Sequence, residues 1–384
     1  MVGSSPPAVA IDVTPMSGHR TGVGLAVAEA FDALTRLGEG CRLLPYAIGL
    51  RVPPGHHDLP EGTRVIRVPA RALLLAWHRW DRPRLDRLLR SATVIHGTNF
   101  TAPPSRMPTM ITVHDCTFAR FPEWVSPAVR EYGRVLRRAV DRGAWLHCTT
   151  RTVAGEVEDI FGSSLRARDR IVVVPFGVPR LGPPASLPAP VAARLGTAPC
   201  VLALGTMEPR KNLPRLVRAF GSVGELHPDL RLVLAGAEGP DRPRIERAIE
   251  GLPGPVRARV VRLGWVAASH RRALIEGAAV LAYPSLYEGF GFPMLEAMSL
   301  GVPVVAGKGG GLPEVAGSAA LLVDPADTDA ITAALHSLLT DERRRQELIA
   351  RGRARAASFT WENTARGLAA AYRELAKSAT SARS

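Results

Sequence analysis

The sequence is poor in the residues on which several protein classes depend. Its four cysteines lie far apart and form no CxxC pair, so we expect reduced thiols rather than a disulfide framework or a cysteine metal site. Aromatic residues make up 5% of the chain and no zinc-finger or RNP-like pattern occurs, so no nucleic-acid partner is expected. No run reaches the roughly 18 apolar residues of a membrane-spanning helix, and the start, MVGSSPPAVA, does not resemble a signal peptide. These absences predict a cytoplasmic protein.

Length and charge narrow the choice further. The 384 residues exceed the roughly 250–300 at which a single hydrophobic core stops growing, so two domains are expected. With 46% hydrophobic and 22% charged residues, the composition is that of a globular protein. The net charge of +14 comes overwhelmingly from arginine, spread through both halves. It indicates an anionic partner, such as nucleotide phosphates or an acidic membrane surface.

Strand-like runs alternate with helical patterns along both halves of the chain, which predicts an α/β fold of two doubly wound parallel sheets. In the first half these runs are Ala8–Val13, Val65–Val68, Thr93–His96, Thr109–Val113, Leu146–Thr149 and Ile171–Val174. In the second half they are Cys200–Leu204, Arg231–Ala235, Val260–Gly264, Val280–Tyr283 and Val302–Ala306. The Pro/Gly-rich stretch 175–190 separates the halves and reads as a linker. We therefore predict domains 1–186 and 187–360, the first completed by an amphipathic C-terminal helix over 361–376.

The most informative segment is AYPSLYEGFGFPMLEAMSLGVP, residues 282–303. A buried strand ends in a loop, and the loop opens a helix near Pro293. Gly289 and Gly291 let the backbone approach a ligand closely, and a helix N-terminus attracts phosphate. Glu288 and Glu296 flank this phosphate-facing loop, so sugar hydroxyls are their natural partners.

This E-x7-E spacing resembles the motif of glycosyltransferase family 4, whose members are retaining enzymes with the GT-B fold. The segments LALGTMEPRKNLPRLVRAF (202–220), GGLPEVAGSAALLVDP (310–325) and FTW (359–361) fit the same family. The resemblance is dense from residue 201 to 361 and thinner before that. It implies two Rossmann-like domains facing a central cleft, the second binding a nucleotide-sugar and the first its acceptor.

A nucleotide-sugar leaves as a diphosphate, and either a metal or fixed cations must stabilise the growing negative charge. By resemblance, Arg210 and Lys211 replace the metal. Many relatives carry an arginine directly after the glycine that follows the strand, whereas here Gly205 is followed by Thr206, which brings a hydroxyl but no charge. The resemblance further implies that Glu288 contacts the donor sugar and Glu296 the ribose. The diphosphate would lie against the loop of Gly289, Phe290, Gly291 and Phe292.

In the first half, Gly22 and Gly24 precede a helix, and the family's glycines there let the backbone approach the donor diphosphate. His114 closes a strand and by resemblance binds a hydroxyl of the donor sugar; the alternative is a cap on local backbone. Asp115 either contacts the sugar or only orients the loop. Gly264 and Trp265 follow another strand and form the expected base pocket, although simple packing explains Trp265 equally well.

No metal or other cofactor is expected. Asp327-Thr328-Asp329 reads as DxD, but aspartate is common at a helix start, and we interpret it so. The EPRKN phrase favours GDP-mannose as donor, with a UDP-sugar second, and a saccharide or glycolipid hydroxyl as acceptor. The alternatives are a GT-B nucleotide-sugar hydrolase or epimerase, and a dinucleotide-binding oxidoreductase, for which Gly22-Val23-Gly24 lacks the third glycine.

Residues 64–90 combine many arginines with Leu73, Leu74, Trp77 and Trp80 at helical spacing. A basic amphipathic helix with tryptophan can lie on an anionic membrane, here the inner face. The alternative is a surface helix whose apolar stripe packs in the core, with Pro83 interrupting the stripe. No feature of the sequence indicates an oligomeric state.

Overall fold

The computed structural model describes residues 6–17, 22–38, 40–50, 59–162, 170–183 and 185–381. The chain divides into two compact units, Met1–Gly177 with Thr360–Ser384 (unit 1) and Val178–Phe359 (unit 2). The predicted boundary after residue 186 therefore moves to Gly177. A main-chain hydrogen bond of 2.9 Å from the Val178 N–H to the Phe359 carbonyl joins the first and last residues of unit 2.

Unit 1 contains a seven-stranded parallel sheet in the order β3-β2-β1-β4-β5-β6-β7. Its strands are β1 (Ala8–Asp12), β2 (Arg42–Ile48), β3 (Arg64–Ile66), β4 (Val94–Gly97), β5 (Thr109–Val113), β6 (Trp145–Cys148) and β7 (Ile171–Val173). Its helices are α1 (Gly22–Leu37), α2 (Ala70–Trp80), α3 (Thr117–Arg120), α4 (Pro127–Arg130), α5 (Tyr132–Asp141), α6 (Arg151–Phe161) and α16 (Trp361–Ser381). The C-terminal helix α16 packs against α1 and covers part of this sheet.

Unit 2 contains a six-stranded parallel sheet in the order β10-β9-β8-β11-β12-β13. Its strands are β8 (Cys200–Leu204), β9 (Arg231–Ala235), β10 (Val260–Gly264), β11 (Val280–Tyr283), β12 (Val304–Gly307) and β13 (Leu321–Val323). Its helices are α7 (Ala189–Leu195), α8 (Leu213–Leu226), α9 (Arg242–Glu250), α10 (Gly254–Arg257), α11 (Ala268–Glu276), α12 (Phe292–Leu300), α13 (Leu312–Ala316), α14 (Thr328–Thr340) and α15 (Glu342–Ala357).

The central strands are buried along most of their length because helices cover both faces of each sheet. Val280–Tyr283 and Val304–Gly307, for example, are buried at every residue. Strands β4, β5 and β6 also carry the buried polar residues His96, Thr112 and His147. In each sheet the first strand of the unit lies in the interior, and the chain adds strands first on one side of it and then on the other. This reversal of the strand order lies between β1 and β4 in unit 1 and between β8 and β11 in unit 2. Ligands of doubly wound sheets bind at the carboxyl ends of the strands at such a reversal. No helix in the described ranges is long and apolar enough to cross a membrane.

Candidate active site

The predicted donor-binding residues of unit 2 meet where its sheet reverses. Strand β8 ends at Leu204 and leads through Gly205 and Thr206 into a short 3₁₀ helix, Pro209–Lys211. Its neighbour β11 ends at Tyr283, and the following loop carries Glu288 to the start of α12. Because the two strands are parallel and adjacent, their following loops lie at the same edge of the sheet.

Glu288 binds both members of the basic pair. One carboxylate oxygen accepts a hydrogen bond from Lys211 Nζ at 2.5 Å, and the other accepts from the Arg210 guanidinium. Lys211 Nζ also donates to the Tyr283 hydroxyl at 2.9 Å, and Arg210 Nε donates to Glu208 at 2.8 Å. The structure thus brings three predicted site residues together, and it adds contacts of Tyr283 and Glu208 that the sequence does not reveal.

Glu288 and Lys211 are buried and Arg210 is half-buried, and their charges hold one another in place. Burial alone would raise the pKa of Glu288, but the adjacent charges of Arg210 and Lys211 outweigh that effect and lower it to about 2. Burial lowers the pKa of Lys211, as does the neighbouring Arg210 charge, while Glu288 opposes both. Glu288 is therefore ionised at neutral pH, with one anion shared by two cations.

Two main-chain contacts and two glycines fix this geometry. The Leu286 N–H donates to the Arg210 carbonyl and the Gly311 N–H donates to the Glu288 carbonyl, each at 2.7 Å. Gly310 has a φ of +62°, and a Cβ there would lie 2.2 Å from the Glu288 carbonyl oxygen. Gly205 has a φ of +143°, and its Cβ would lie 3.2 Å from Lys211 Cε. A side chain at either position would displace a charged member of the cluster.

The loop of Gly289–Phe292 ends at the N-terminus of α12, with Gly291 as the N-cap residue. Phe290 is buried against Phe359, with ring centroids 5.7 Å apart, and Phe292 is half-buried. The predicted helix start near Pro293 is thus correct within one residue.

Glu296 is fully buried inside α12 and forms an ion pair that the sequence does not reveal. Its Oε2 accepts hydrogen bonds from Nε and Nη2 of Arg271 on α11, at 2.8 and 2.5 Å. Its Oε1 has no hydrogen-bond partner among the described residues. An unsatisfied buried carboxylate oxygen is costly, so Oε1 is an acceptor in place for a ligand hydroxyl.

Two further predicted residues lie at the carboxyl end of β10, which is on the same edge of the sheet. Gly264 has a φ of +69°, and Trp265 is 60% exposed. Trp265 is therefore not a core residue, and the packing interpretation of it is wrong. Thr206 is half-buried in the turn between Gly205 and Glu208.

Comparison with known proteins identifies the family. The family model described as "Glycosyl transferases group 1" matches residues 191–355. O-antigen chain mannosyltransferase B from Escherichia coli is 34% identical over 289 residues, which cover 73% of this chain and 74% of that protein. The chain belongs to this glycosyltransferase family. The resemblance inferred from sequence is thus confirmed, and the oxidoreductase alternative is set aside.

Solved structures agree on the fold of this glycosyltransferase. Sucrose-phosphate synthase from Thermosynechococcus elongatus aligns with a TM-score of 0.73 at 22% identity, covering 96% of this chain and 99% of that one. The HepE protein of Anabaena, in complex with UDP and glucose, aligns with a TM-score of 0.70 at 18% identity, covering 96% and 100%. Both likenesses support the predicted GT-B fold of two Rossmann-like domains.

In unit 1 of the glycosyltransferase, His114 follows β5 and is half-buried between the rings of Phe100 and Phe176, at centroid distances of 5.6 and 5.8 Å. Its Nε2 donates to the Thr98 carbonyl at 2.9 Å, since a carbonyl can only accept. Burial lowers its pKa, so the ring is neutral and Nδ1 is an acceptor. Nε2 of His114 thus binds local backbone, as the alternative interpretation expects. The contact of His114 with a sugar hydroxyl stays a prediction. Asp115 orients the loop by accepting from the Thr117 N–H at 2.9 Å.

The two glycines predicted to lie in a loop before the first helix lie inside that helix. Helix α1 begins at Gly22, so Gly22 and Gly24 lie in its first turn rather than in a loop. Residues 18–21, which precede them, lie outside the described residues.

The DxD segment of the glycosyltransferase is a helix start. The side chain of Asp327 accepts hydrogen bonds from the Asp329 and Ala330 N–H groups and thereby caps α14. Among the described residues, no group of three or more His, Cys, Asp or Glu side chains could hold a metal ion.

Proposed function

We propose that this glycosyltransferase transfers a mannosyl group from a nucleoside diphosphate sugar to a hydroxyl of a saccharide or lipid-linked acceptor. We further propose that it retains the anomeric configuration and uses fixed cations in place of a metal ion. The observation that carries the proposal is the binding of Arg210 and Lys211 to buried Glu288 at the reversal of the unit 2 sheet. Two cations suit a diphosphate, and a carboxylate suits sugar hydroxyls.

In the proposed reaction, the bond between the anomeric carbon and the diphosphate oxygen breaks while the acceptor oxygen bonds to that carbon from the same face. The proton of the acceptor hydroxyl moves to the leaving phosphate oxygen. Negative charge grows on the diphosphate, and Arg210 and Lys211 would stabilise it. Because Lys211 is buried, that charge is poorly screened by water and its effect on the transition state is correspondingly large.

The remaining residues of unit 2 fit the rest of the donor. The unpartnered Oε1 of Glu296 would accept a hydrogen bond from a ribose hydroxyl, with Arg271 holding the other oxygen. Exposed Trp265 offers a stacking face for the base on the same sheet edge. GDP-mannose is the favoured donor because of the mannosyltransferase relative, and a UDP-sugar is second. We place the acceptor on unit 1, at the reversal between β1 and β4; His114 reaches this end of β4 through its hydrogen bond to the Thr98 carbonyl.

The role of the fixed cations is tested by replacing the buried Lys211. Lys211→Ala should lower the turnover of GDP-mannose by about 10²–10³ while the protein stays folded, since a preorganised charge-stabilising group is lost. Lys377→Ala is the matched control, because Lys377 is exposed on α16 and pairs only with Glu374 in the described structure. Assays with chelator present separate fixed cations from a metal. Near-normal turnover of Lys211→Ala would refute its role at the leaving phosphate.

A donor screen tests the sugar and the base. The apparent melting temperature should rise most with GDP-mannose among UDP-, GDP- and dTDP-sugars, because a ligand that binds only the folded state stabilises it by mass action. The hydrolase or epimerase alternative predicts turnover without an added acceptor, so equal rates with and without mannosides would favour it.

A further inference from the structure

An exposed apolar and basic surface lies in unit 1. Six large hydrophobic side chains are exposed in the described residues, and three of them fall between residues 75 and 88. Leu75 is 58% exposed, Trp80 64% and Leu88 45%. Leu75 and Trp80 lie on one helix and Leu88 follows in the next segment, and exposed apolar side chains that cluster are typical of interaction surfaces.

The helix α2 separates a buried stripe from this surface. Leu73 and Trp77 are buried in the unit 1 core, so the packing alternative is correct for these two residues. On a helix, residues three and four apart are neighbours. Arg71, Leu75 and Arg79 therefore form one outer row beside Trp80, and all four are exposed. The outer face of α2 is thus itself amphipathic, with cations beside apolar groups.

Helix α5 extends the positive charge. His78 of α2 binds Glu131 at 2.8 Å, and Arg142 binds Asp81, which joins the two segments. Beside His78 lies a groove of about 440 Å³ over an apolar floor of Phe118, Ile160 and Phe161. Its walls carry Arg130, Arg134, Arg137 and Arg138.

The charge of this surface is strongly one-sided. Residues 70–90 and 127–142 together contain eleven arginines and four acidic residues. That excess of seven is half of the net charge of the whole chain. A partner must therefore be anionic and must also accept exposed leucine and tryptophan side chains.

We infer that the outer face of α2, the segment to Arg90 and the arginine-lined groove form a docking surface for an anionic phospholipid bilayer. Trp80, Leu75 and Leu88 would enter the boundary between headgroups and acyl chains, where tryptophan is preferred. The arginines would bind lipid phosphates, and the groove is large enough for a headgroup. A nucleic acid would satisfy the arginines but leave the leucines in water, so the bilayer fits the observations better. This inference goes beyond the transfer reaction and does not depend on it.

The test is flotation of the full-length protein with phosphatidylcholine vesicles that contain or lack phosphatidylglycerol. Binding should require the anionic lipid and weaken as sodium chloride is raised. Arg79→Gln with Arg82→Gln should weaken binding about 30-fold, from roughly 1 kcal/mol per arginine at an anionic surface. Leu75→Ser with Trp80→Ser should also weaken it, independently of charge.

Matched controls lie on unit 2. Leu226→Ser removes a leucine that is 62% exposed, and Arg343→Gln with Arg351→Gln removes two exposed cations. Neither should change vesicle binding, and melting curves verify that every variant is folded. The inference is overturned if the wild-type protein fails to float, or if the α2 variants float as the controls do. It is also overturned if a DNA duplex binds more tightly than the vesicles, or if sedimentation shows a dimer that the α2 variants dissociate.

Discussion

A buried hydrogen-bond chain in unit 1 has only one possible direction. It runs from Tyr372 on α16 through His96, Thr112 and His147 to the Val174 carbonyl, with distances of 2.7, 2.8, 2.9 and 2.9 Å. A carbonyl can only accept, so Nε2 of His147 donates to it and Nδ1 must accept from the Thr112 hydroxyl. By the same reasoning Nε2 of His96 donates to Thr112, and the Tyr372 hydroxyl donates to Nδ1 of His96. This direction requires neutral imidazoles, and burial lowers the pKa of both His96 and His147, which keeps both rings neutral.

The perturbation is Tyr372→Phe, which removes the first donor and leaves the ring in place. No cavity larger than the hydroxyl forms, so the cost is that of a buried, unsatisfied His96 Nδ1, about 1–3 kcal/mol. For a unit of this size each kcal/mol corresponds to about 2–4 °C in melting temperature. We expect a loss of this magnitude in calorimetry and urea denaturation.

Tyr46→Phe is the matched control for this prediction. Tyr46 and Tyr372 are both fully buried in unit 1, but the Tyr46 hydroxyl has no partner among the described residues. Removing it should leave stability unchanged or increase it. Equal losses in the two variants, or no loss in Tyr372→Phe, would refute the assigned direction of the chain.

Three further predictions follow from other contacts. Burial lowers the pKa of His147 to about 4 and that of His96 well below its usual value, so the unfolded state takes up protons first as the pH falls. The free energy of unfolding should therefore fall between pH 6.5 and 4 in urea titrations, by about 1.4 kcal/mol per pH unit for each histidine. Asp12 partly offsets this loss, because burial raises its pKa to about 6. Glu296→Gln should weaken nucleoside diphosphate binding by about 1.5–3 kcal/mol in calorimetry, whereas exposed Glu342→Gln should not. Truncation after Ser358 removes α16 and should expose the apolar surface of unit 1 to dye, while nucleotide binding persists.

The core of the candidate site could be predicted because it depends on topology. Arg210, Lys211 and Glu288 each follow an apolar run, and runs alternating with helices indicate parallel strands. In a doubly wound sheet the loops at the carboxyl ends share one edge, so residues 78 positions apart, such as Arg210 and Glu288, come into contact. The E-x7-E spacing from Glu288 then identifies Glu296, which lies in the helix after the same loop.

Strand β2 was missed because it contains Pro45, which is unusual inside a strand. The structure shows why the proline is tolerated. The Arg42 N–H donates toward β1, and alternate residues point to opposite neighbours, so the nitrogen of Pro45 points toward β3. Pairing with β3 begins only at Tyr46, and no N–H is required there.

Side-chain pairs between distant helices and strands left no sequence signal. The sequence around Arg271 reads as an ordinary basic helix, and only the packing of α11 beside α12 brings it to Glu296. His96, His147 and Tyr372 have no common spacing, since they lie on strands β4 and β6 and on the C-terminal helix α16. Such contacts depend on which faces pack together, which periodicity alone does not determine.

Most of the net positive charge of the chain lies outside the proposed donor site. Around the diphosphate position the cations Arg210 and Lys211 are matched by Glu208 and Glu288, and Arg271 is matched by Glu296. The site is therefore close to neutral before a donor arrives, and a diphosphate needs only two cations. Residues 70–90 and 127–142, which include α2 and α5, contain eleven arginines against four acidic residues. A donor site built on two cations does not account for this excess of seven, whereas the proposed bilayer surface would, because its binding strength grows with each cation.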